Sequence, residues 1–241
     1  MAKYDKVVGY AAIDDNDTAK LRNTIQISTE ISLPYYSPLE TDNILVAGCG
    51  NGDEALLLHE RFKCQVIGVD ISLPVEQKQL NSQVLIQRGD LSELPFPDGY
   101  FNYIYSYHVL EHVPDHIEVL KELNRILKNN SPLFIGFPNK HRLVGYIGVH
   151  NAVSLRQKIL WNLQDYTKKI TGKFENSLGA HAGFTNRQFL SDAKEIFDQV
   201  IGIRDEYFDL KYGSYKSVFK QMRRLGIEEY IFPSNYYICR N

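Results

Sequence analysis

The sequence predicts a Rossmann-like, doubly wound α/β fold: a mostly parallel seven-stranded sheet with helices on both faces and a helical cap. Three observations carry the prediction. Short apolar runs alternate with helical patterns between residues 43 and 138, as in βα units whose strands are buried on both faces. The first run opens onto three glycines at every second position, ILVAGCGNG at 44–52. The second ends on an aspartate, VIGVD at 66–70.

Each element follows from its own residues. Residues 1–33 read as one or two polar-apolar helices, broken by LPYYSPLE at 33–40. NILVAG (43–48) is a strand. DEALLLHERF (53–62) is a helix with Ala55, Leu58 and Phe62 on one face and two acids in its first turn. CQVIGVD (64–70), VLIQRGD (84–90) and FNYIYSY (101–107) are strands. In PDHIEVLKELNRILK (114–128), Ile117, Leu120, Leu123 and Leu127 form a helical stripe. PLFIGFP (132–138) is the fifth strand. RLVGYIGV and a helix in SLRQKILWNLQDYTKKI then break the rhythm, as an insertion that covers the carboxyl edge of the sheet. RQFLSDAKEIF (187–197) is a helix, YGSYKSVFKQMRRLG a loop and helix, and QVIGIRDEYF (199–208) and SNYYICR (234–240) are strands of a final antiparallel hairpin. The expected organisation is a single domain over 1–241: an N-terminal helical lid (1–40), a core (41–138), a cap (139–185) and a C-terminal part of the sheet (186–241).

Composition narrows the class. The chain has 241 residues and a net charge of −2. No apolar run approaches the about 18 residues of a membrane span, and no signal-peptide pattern opens the chain. Cys49, Cys64 and Cys239 are odd in number and lack metal-ligand spacing, which suits reduced thiols in a cytoplasmic protein. Residues 1–140 hold 12 Lys+Arg against 19 Asp+Glu, a balance of −7, and residues 141–241 hold 15 against 10, or +5. No basic tract points to DNA.

Gly48, Gly50 and Gly52 stand at the carboxyl end of the first strand, where open parallel sheets bind ligands. Glycine permits positive φ and close approach of a ligand to the backbone. Asp70 follows 22 residues after Gly48, the place of a carboxylate that holds ribose hydroxyls. Asp53 stands where a dinucleotide fingerprint needs a small residue, and no G-K-[ST] follows the loop. A nucleoside cofactor without phosphates fits best.

GCGNG, VIGVDIS, RGDLSELPFPDGYFNYIYSYHVLEHVPD, LNRILK and PLFIGFPN together resemble the class I S-adenosylmethionine-dependent methyltransferases over about residues 43–138. The nearest branch is that of the ubiquinone-biosynthesis-like small-molecule methyltransferases, and HAGFTNRQF (181–189) resembles a further segment of these enzymes. The resemblance implies S-adenosylmethionine as cofactor, S-adenosylhomocysteine as product and a small-molecule acceptor. It implies that Gly48, Cys49, Gly50 and Gly52 pack against the methionine part. Asp70 and Ile71 would meet the ribose and adenine, Asp90 and Leu91 the adenine, and Ser106 and Tyr107 the methionine end. Two departures stand out. Val46 replaces an acid that helps hold the cofactor's ammonium, so binding is weaker or another residue substitutes. Asn129-Asn130-Ser131 replaces a Pro-Gly-Gly turn, which is neutral because asparagine tolerates left-handed geometry.

His108 and then His181 are the candidate general bases, each weighed against a structural hydrogen-bonded histidine. His108, His112 and His116 sit four apart, and His108-x-x-Glu111-His112 imperfectly resembles the metal motif of small-RNA 3′-end methyltransferases. Because the LEH segment is common in metal-free relatives, no metal is expected. The cap segment resembles methyltransferases of bacterial surface polysaccharides, so a sugar or glycan is one acceptor. The competing readings are an RNA or protein methyltransferase, a non-catalytic cofactor-binding module and, more distantly, a dehydrogenase. The helix around Trp161 reads as a pocket cap ahead of a membrane-surface helix.

Overall fold

A computed structural model describes residues 15–145, 154–178 and 181–241. The first fourteen residues of the expected lid, and Tyr146–Val149 of the RLVGYIGV segment, lie outside them. The strands are β1 (Asn43–Ala47), β2 (Gln65–Asp70), β3 (Gln77–Gln79), β4 (Val84–Arg88), β5 (Tyr103–Tyr107), β6 (Leu133–Pro138), β7 (Gln199–Gly202) and β8 (Ser234–Arg240). The helices are α1 (Asp15–Ser32), α2 (Asp53–Phe62), α3 (His116–Ile126), α4 (Leu155–Ile170), α5 (Asn186–Lys194), α6 (Arg204–Lys211), α7 (Lys216–Arg224) and α8 (Glu228–Ile231).

One eight-stranded sheet runs β3-β4-β2-β1-β5-β6-β8-β7. Strands β4, β2, β1, β5 and β6 are parallel, and β3 and β8 run against their neighbours. The sheet thus has one strand more than the seven expected. The extra strand, Gln77–Gln79, consists of three exposed polar residues and carries no apolar signal. The final pair β7–β8 is antiparallel as expected, but three helices separate its strands. Residues 199–208 are not one strand. The strand stops at Gly202, and Tyr207 N–H donates to Ile203 O as α6 begins. Asp205 and Glu206 favour the new helix's N-terminus, and Tyr207 and Phe208 are buried.

Two apolar layers flank the sheet. Ile25 and Ile31 of α1, Leu58 of α2 and Tyr207 of α6 cover one face. Val119, Leu120, Leu123 and Ile126 of α3 cover the other with Phe189 of α5. Leu120, Leu123 and Leu127 of the expected stripe are buried, while Ile117 is half-buried and Val119 and Ile126 join the face. Asp115 caps this helix by accepting from Ile117 N–H and Glu118 N–H.

The strand order reverses at β1. The chain steps outward from β1 to β2 and β4, then returns to β5 on the other side. Ala47 pairs with Ser106 across that seam. Such a reversal leaves a crevice at the carboxyl ends of the two strands.

Candidate active site

The glycine loop turns out of β1 with φ of +78° at Gly48, +52° at Gly50 and +96° at Gly52. L side chains are strained in this region. Space is also restricted. A Cβ at Gly48 would lie 2.3 Å from Val109 Cγ2, and one at Gly52 2.5 Å from Leu80 Cδ1. The loop is tied down at β2: Gly48 and Cys49 N–H both donate to Val69 O, at 2.7 and 3.2 Å. Cys49 is buried, and burial pushes its thiol well above the ordinary range, so it is no nucleophile.

Two strand ends carry the same device. Asp70 Oδ1 accepts from Ser72 N–H (2.8 Å) and Ser72 Oγ (2.5 Å), while its Oδ2 accepts from Gly50 N–H at 2.8 Å. Asp90 Oδ1 likewise accepts from Ser92 N–H and Oγ, at 3.0 and 2.8 Å. Each D-x-S turn orients a carboxylate at the edge of the sheet. Asp70 thereby joins the glycine loop directly and leaves acceptor capacity on Oδ2. Ile71 is exposed at the first turn and Leu91 buried at the second. The sequence carries this signal as a serine two residues after each aspartate, Ser72 and Ser92.

Ser106 ends β5 with its Oγ buried and unpartnered among the described residues. Tyr107 stacks on Tyr236 of β8, at 6.3 Å between centroids. The two rings flank Gly136, where a Cβ would meet Tyr107 at 2.8 Å and Tyr236 at 3.0 Å. Val46 is fully buried between Gly68 and Tyr105, so no acid stands there. Glu54, in the first turn of α2, is the nearby carboxyl. Burial, and then Asp53, push it up to about 8, and its charge acts on Cys49, Tyr105 and Tyr107.

Beyond β5 the chain gathers histidines. His108 adopts φ +56° and His181 φ +45°, which few non-glycine residues do outside functional or tightly fixed turns. His108 Nδ1 lies 3.5 Å from Glu111 Oε1, and His108 Nε2 lies 3.5 Å from Ser234 Oγ. His181 packs edge-on to His112 at 4.6 Å. His116 belongs elsewhere, paired with Asp192 at 2.9 Å. Glu111 is buried, and its Oε2 has no hydrogen-bond partner among the described residues. Burial pushes its carboxyl up to about 8, with Arg142 opposing. Burial, and then the charges of His112, Arg142, Lys211 and His181, hold His108 well below the ordinary imidazole range. His108 is therefore neutral at physiological pH. Its side chain keeps 38% of its surface exposed, so a reactant can reach it. Among the described residues no group of three or more His, Cys, Asp or Glu is arranged to hold a metal ion.

Comparison with known proteins decides the class. Residues 45–135 match the methyltransferase-domain family model. These residues are a methyltransferase domain. They include the glycine loop, both D-x-S turns, Ser106 and the His108–Glu111 pair. The chain is 41% identical over 97 residues to a 2-phytyl-1,4-naphtoquinone methyltransferase of Synechococcus elongatus, covering 36% of this chain and 42% of that one. It is 28% identical over 131 residues to the 27-O-demethylrifamycin SV methyltransferase of Amycolatopsis mediterranei, covering 51% and 48%. These matches span less than half the length of either relative. The structure of Haemonchus contortus phosphoethanolamine N-methyltransferase 2 in complex with S-adenosyl-L-methionine superposes with a TM-score of 0.55 at 16% identity, covering 97% of this chain and 60% of that one. The domain has the class I methyltransferase fold, and that neighbour is bound to S-adenosyl-L-methionine. A strand-end carboxylate with acceptor capacity, an unpartnered buried hydroxyl and a loop with glycine at every second position fit S-adenosylmethionine.

Proposed function

We propose that the protein transfers a methyl group from S-adenosylmethionine to an oxygen, nitrogen or carbon nucleophile of a small or medium-sized organic acceptor. The observation that carries this reading is the hydrogen bond from Gly50 N–H to Asp70 Oδ2, which locks loop and carboxylate into one site. Asp70 would accept from the ribose hydroxyls with Ile71 beside it, and Asp90 from the adenine amino group with Leu91 against the ring. The loop Gly48–Gly52, with Cys49, would pack on the methionine part, and Ser106 and Tyr107 would line its end. Glu54 would take over from Val46 as the carboxyl facing the ammonium, protonated in the free protein and ionised once the cation is beside it.

When bound, the cofactor supplies a methyl on an already activated sulfonium, so alignment and exclusion of water supply most of the catalysis. Tyr107 offers a π face to positive charge. His108 would take the acceptor's proton at Nε2, its Nδ1–H directed at Glu111, with His181 second in line. His108 is neutral and has a lone pair to offer, and the same lowering makes it a weak base, which suits an acceptor whose proton leaves late in the transfer. The named relatives act on naphthoquinone and rifamycin, which favours a ring-bearing acceptor. A sugar or glycan is the alternative, and absence of turnover on glycans would remove it.

The test is calorimetric titration with S-adenosylmethionine and S-adenosylhomocysteine on wild type, Asp70→Ala and Glu54→Gln. Micromolar binding that is lost in the first variant, and weakened about tenfold (~1.4 kcal/mol) in the second, is the expected result. Well-folded wild type that binds neither ligand would end the methyltransferase reading.

A further inference from the structure

Helix α4 is amphipathic the wrong way round. Its inner face is polar. Asp165 pairs with Arg142 at 3.2 Å, Asn162 accepts from Gly145 N–H at 2.7 Å, and Lys169 Nζ donates to Arg142 O. Its outer face is apolar: Leu155 is 75% exposed, Ile159 51%, Leu163 56%, Tyr166 38% and Ile170 86%. At about 100° per residue these five side chains fall within roughly 80° of the circumference. Leu143, 47% exposed, extends the patch, since its carbonyl accepts from Tyr166 Oη. Ordinary surface helices turn such a stripe inward.

The charges around this stripe select its occupant. Residues 140–175 hold seven Lys+Arg against Asp165 and Glu175, a balance of +5 in a chain whose net charge is −2. Asp165 is buried on the inner face with Arg142 and Glu175 pairs with Lys140, so the margins of the stripe are basic, with Arg156 exposed on one side and Lys173 just past the helix. A second copy docked by the same face would oppose two such basic surfaces. An anionic lipid surface complements both features: apolar side chains enter the headgroup boundary while lysine and arginine meet the phosphates.

We propose that the outer face of α4 docks the protein on an anionic lipid surface. This does not depend on the methyltransferase reading. Docked in this way, the cap segment sits at the lipid interface, where acceptors that partition into lipid are concentrated.

The test is flotation of the full chain with vesicles of phosphatidylcholine alone and of phosphatidylcholine with 30% phosphatidylglycerol, at low and at 0.5 M salt. Expected is at least tenfold greater binding to the anionic vesicles, largely lost at high salt and in Ile159→Glu/Leu163→Glu. Both substituted side chains are exposed, so the circular dichroism and melting temperature of the double variant should match wild type. Wild type that floats with neither vesicle overturns the proposal, as does a double variant that binds like wild type. A concentration-dependent dimer in sedimentation velocity that the double variant abolishes, without vesicle binding, would assign the face to a second copy instead.

Discussion

Glu111 is a buried carboxyl with an unpartnered oxygen, and its fold-induced shift has a defined consequence for stability. Its folded value of about 8 lies above the ordinary 4.5. Between those values the folded state holds a proton that the unfolded state has lost, so stability falls as pH rises through this window and levels off above about 8. One such group contributes a slope of at most about 1.4 kcal/mol per pH unit. Glu54, also raised to about 8, acts in the same direction. Melting temperature should therefore drop between pH 6 and 8.5 in wild type, less in Glu111→Gln, and least in the double variant with Glu54→Gln. An unchanged slope in the double variant would refute both assignments. Gly48 makes a second residue-scale prediction. Alanine there combines a φ of +78° with a 2.3 Å approach to Val109, so it should cost about 2–4 kcal/mol in urea unfolding. Val109→Ala should recover the steric part and leave the backbone part. Equal stability of Gly48→Ala and wild type would mean that the loop is not held as described.

At the scale of elements, legibility in the sequence followed burial. The helix at 53–62 and the strand at 234–240 match their observed bounds, because each has a strong pattern and clear end signals. The edge strand at 77–79 was invisible because backbone pairing with β4 alone defines it. Residues 199–208 misled because Val200, Ile201, Ile203, Tyr207 and Phe208 suit a strand by composition, while the i to i+4 link from Ile203 to Tyr207 makes the second half helical. Of the proposed site, the glycines and aspartates are picked out by spacing alone. Glu54 and Glu111 are not, since only the fold buries their carboxyls. The cap was expected to cover the sheet edge, and a buried ion pair is the charged tie of α4, beside the hydrogen bonds of Asn162, Tyr166 and Lys169. Arg142 Nη2 reaches Asp165 while its guanidinium also donates to the carbonyls of Asn139, His181 and Ala182. Removing one partner of a buried pair typically costs about 3–5 kcal/mol, and here the loss should fall on the cap. Asp165→Ala should raise amide exchange in α4 while β5 and β6 keep their protection. Uniform loosening across the molecule would show that the cap and sheet unfold as one unit.

For the whole molecule, the decisive feature is that the proposed site is built from the ends of elements on both sides of the β1–β5 seam. Gly48 follows β1, Asp70 ends β2, Asp90 lies just past β4, and Ser106 and Tyr107 end β5. A ligand held there is bound by the assembled sheet and by no fragment of it, so its binding free energy becomes folding free energy. At 100 times its dissociation constant a single-site ligand adds about 2.7 kcal/mol, which for a chain of this size corresponds to a rise of roughly 5–11 °C in melting temperature. S-adenosylhomocysteine should produce that rise in wild type and none in Asp70→Ala, and the variant should also start lower because Gly50 loses its acceptor. Under the same saturation, amide protection should increase together at the carboxyl ends of β1, β2 and β5. Protection confined to one strand end would mean that the ligand sits outside the seam, and an unshifted melting curve at millimolar ligand would mean that the sheet is not linked to it at all.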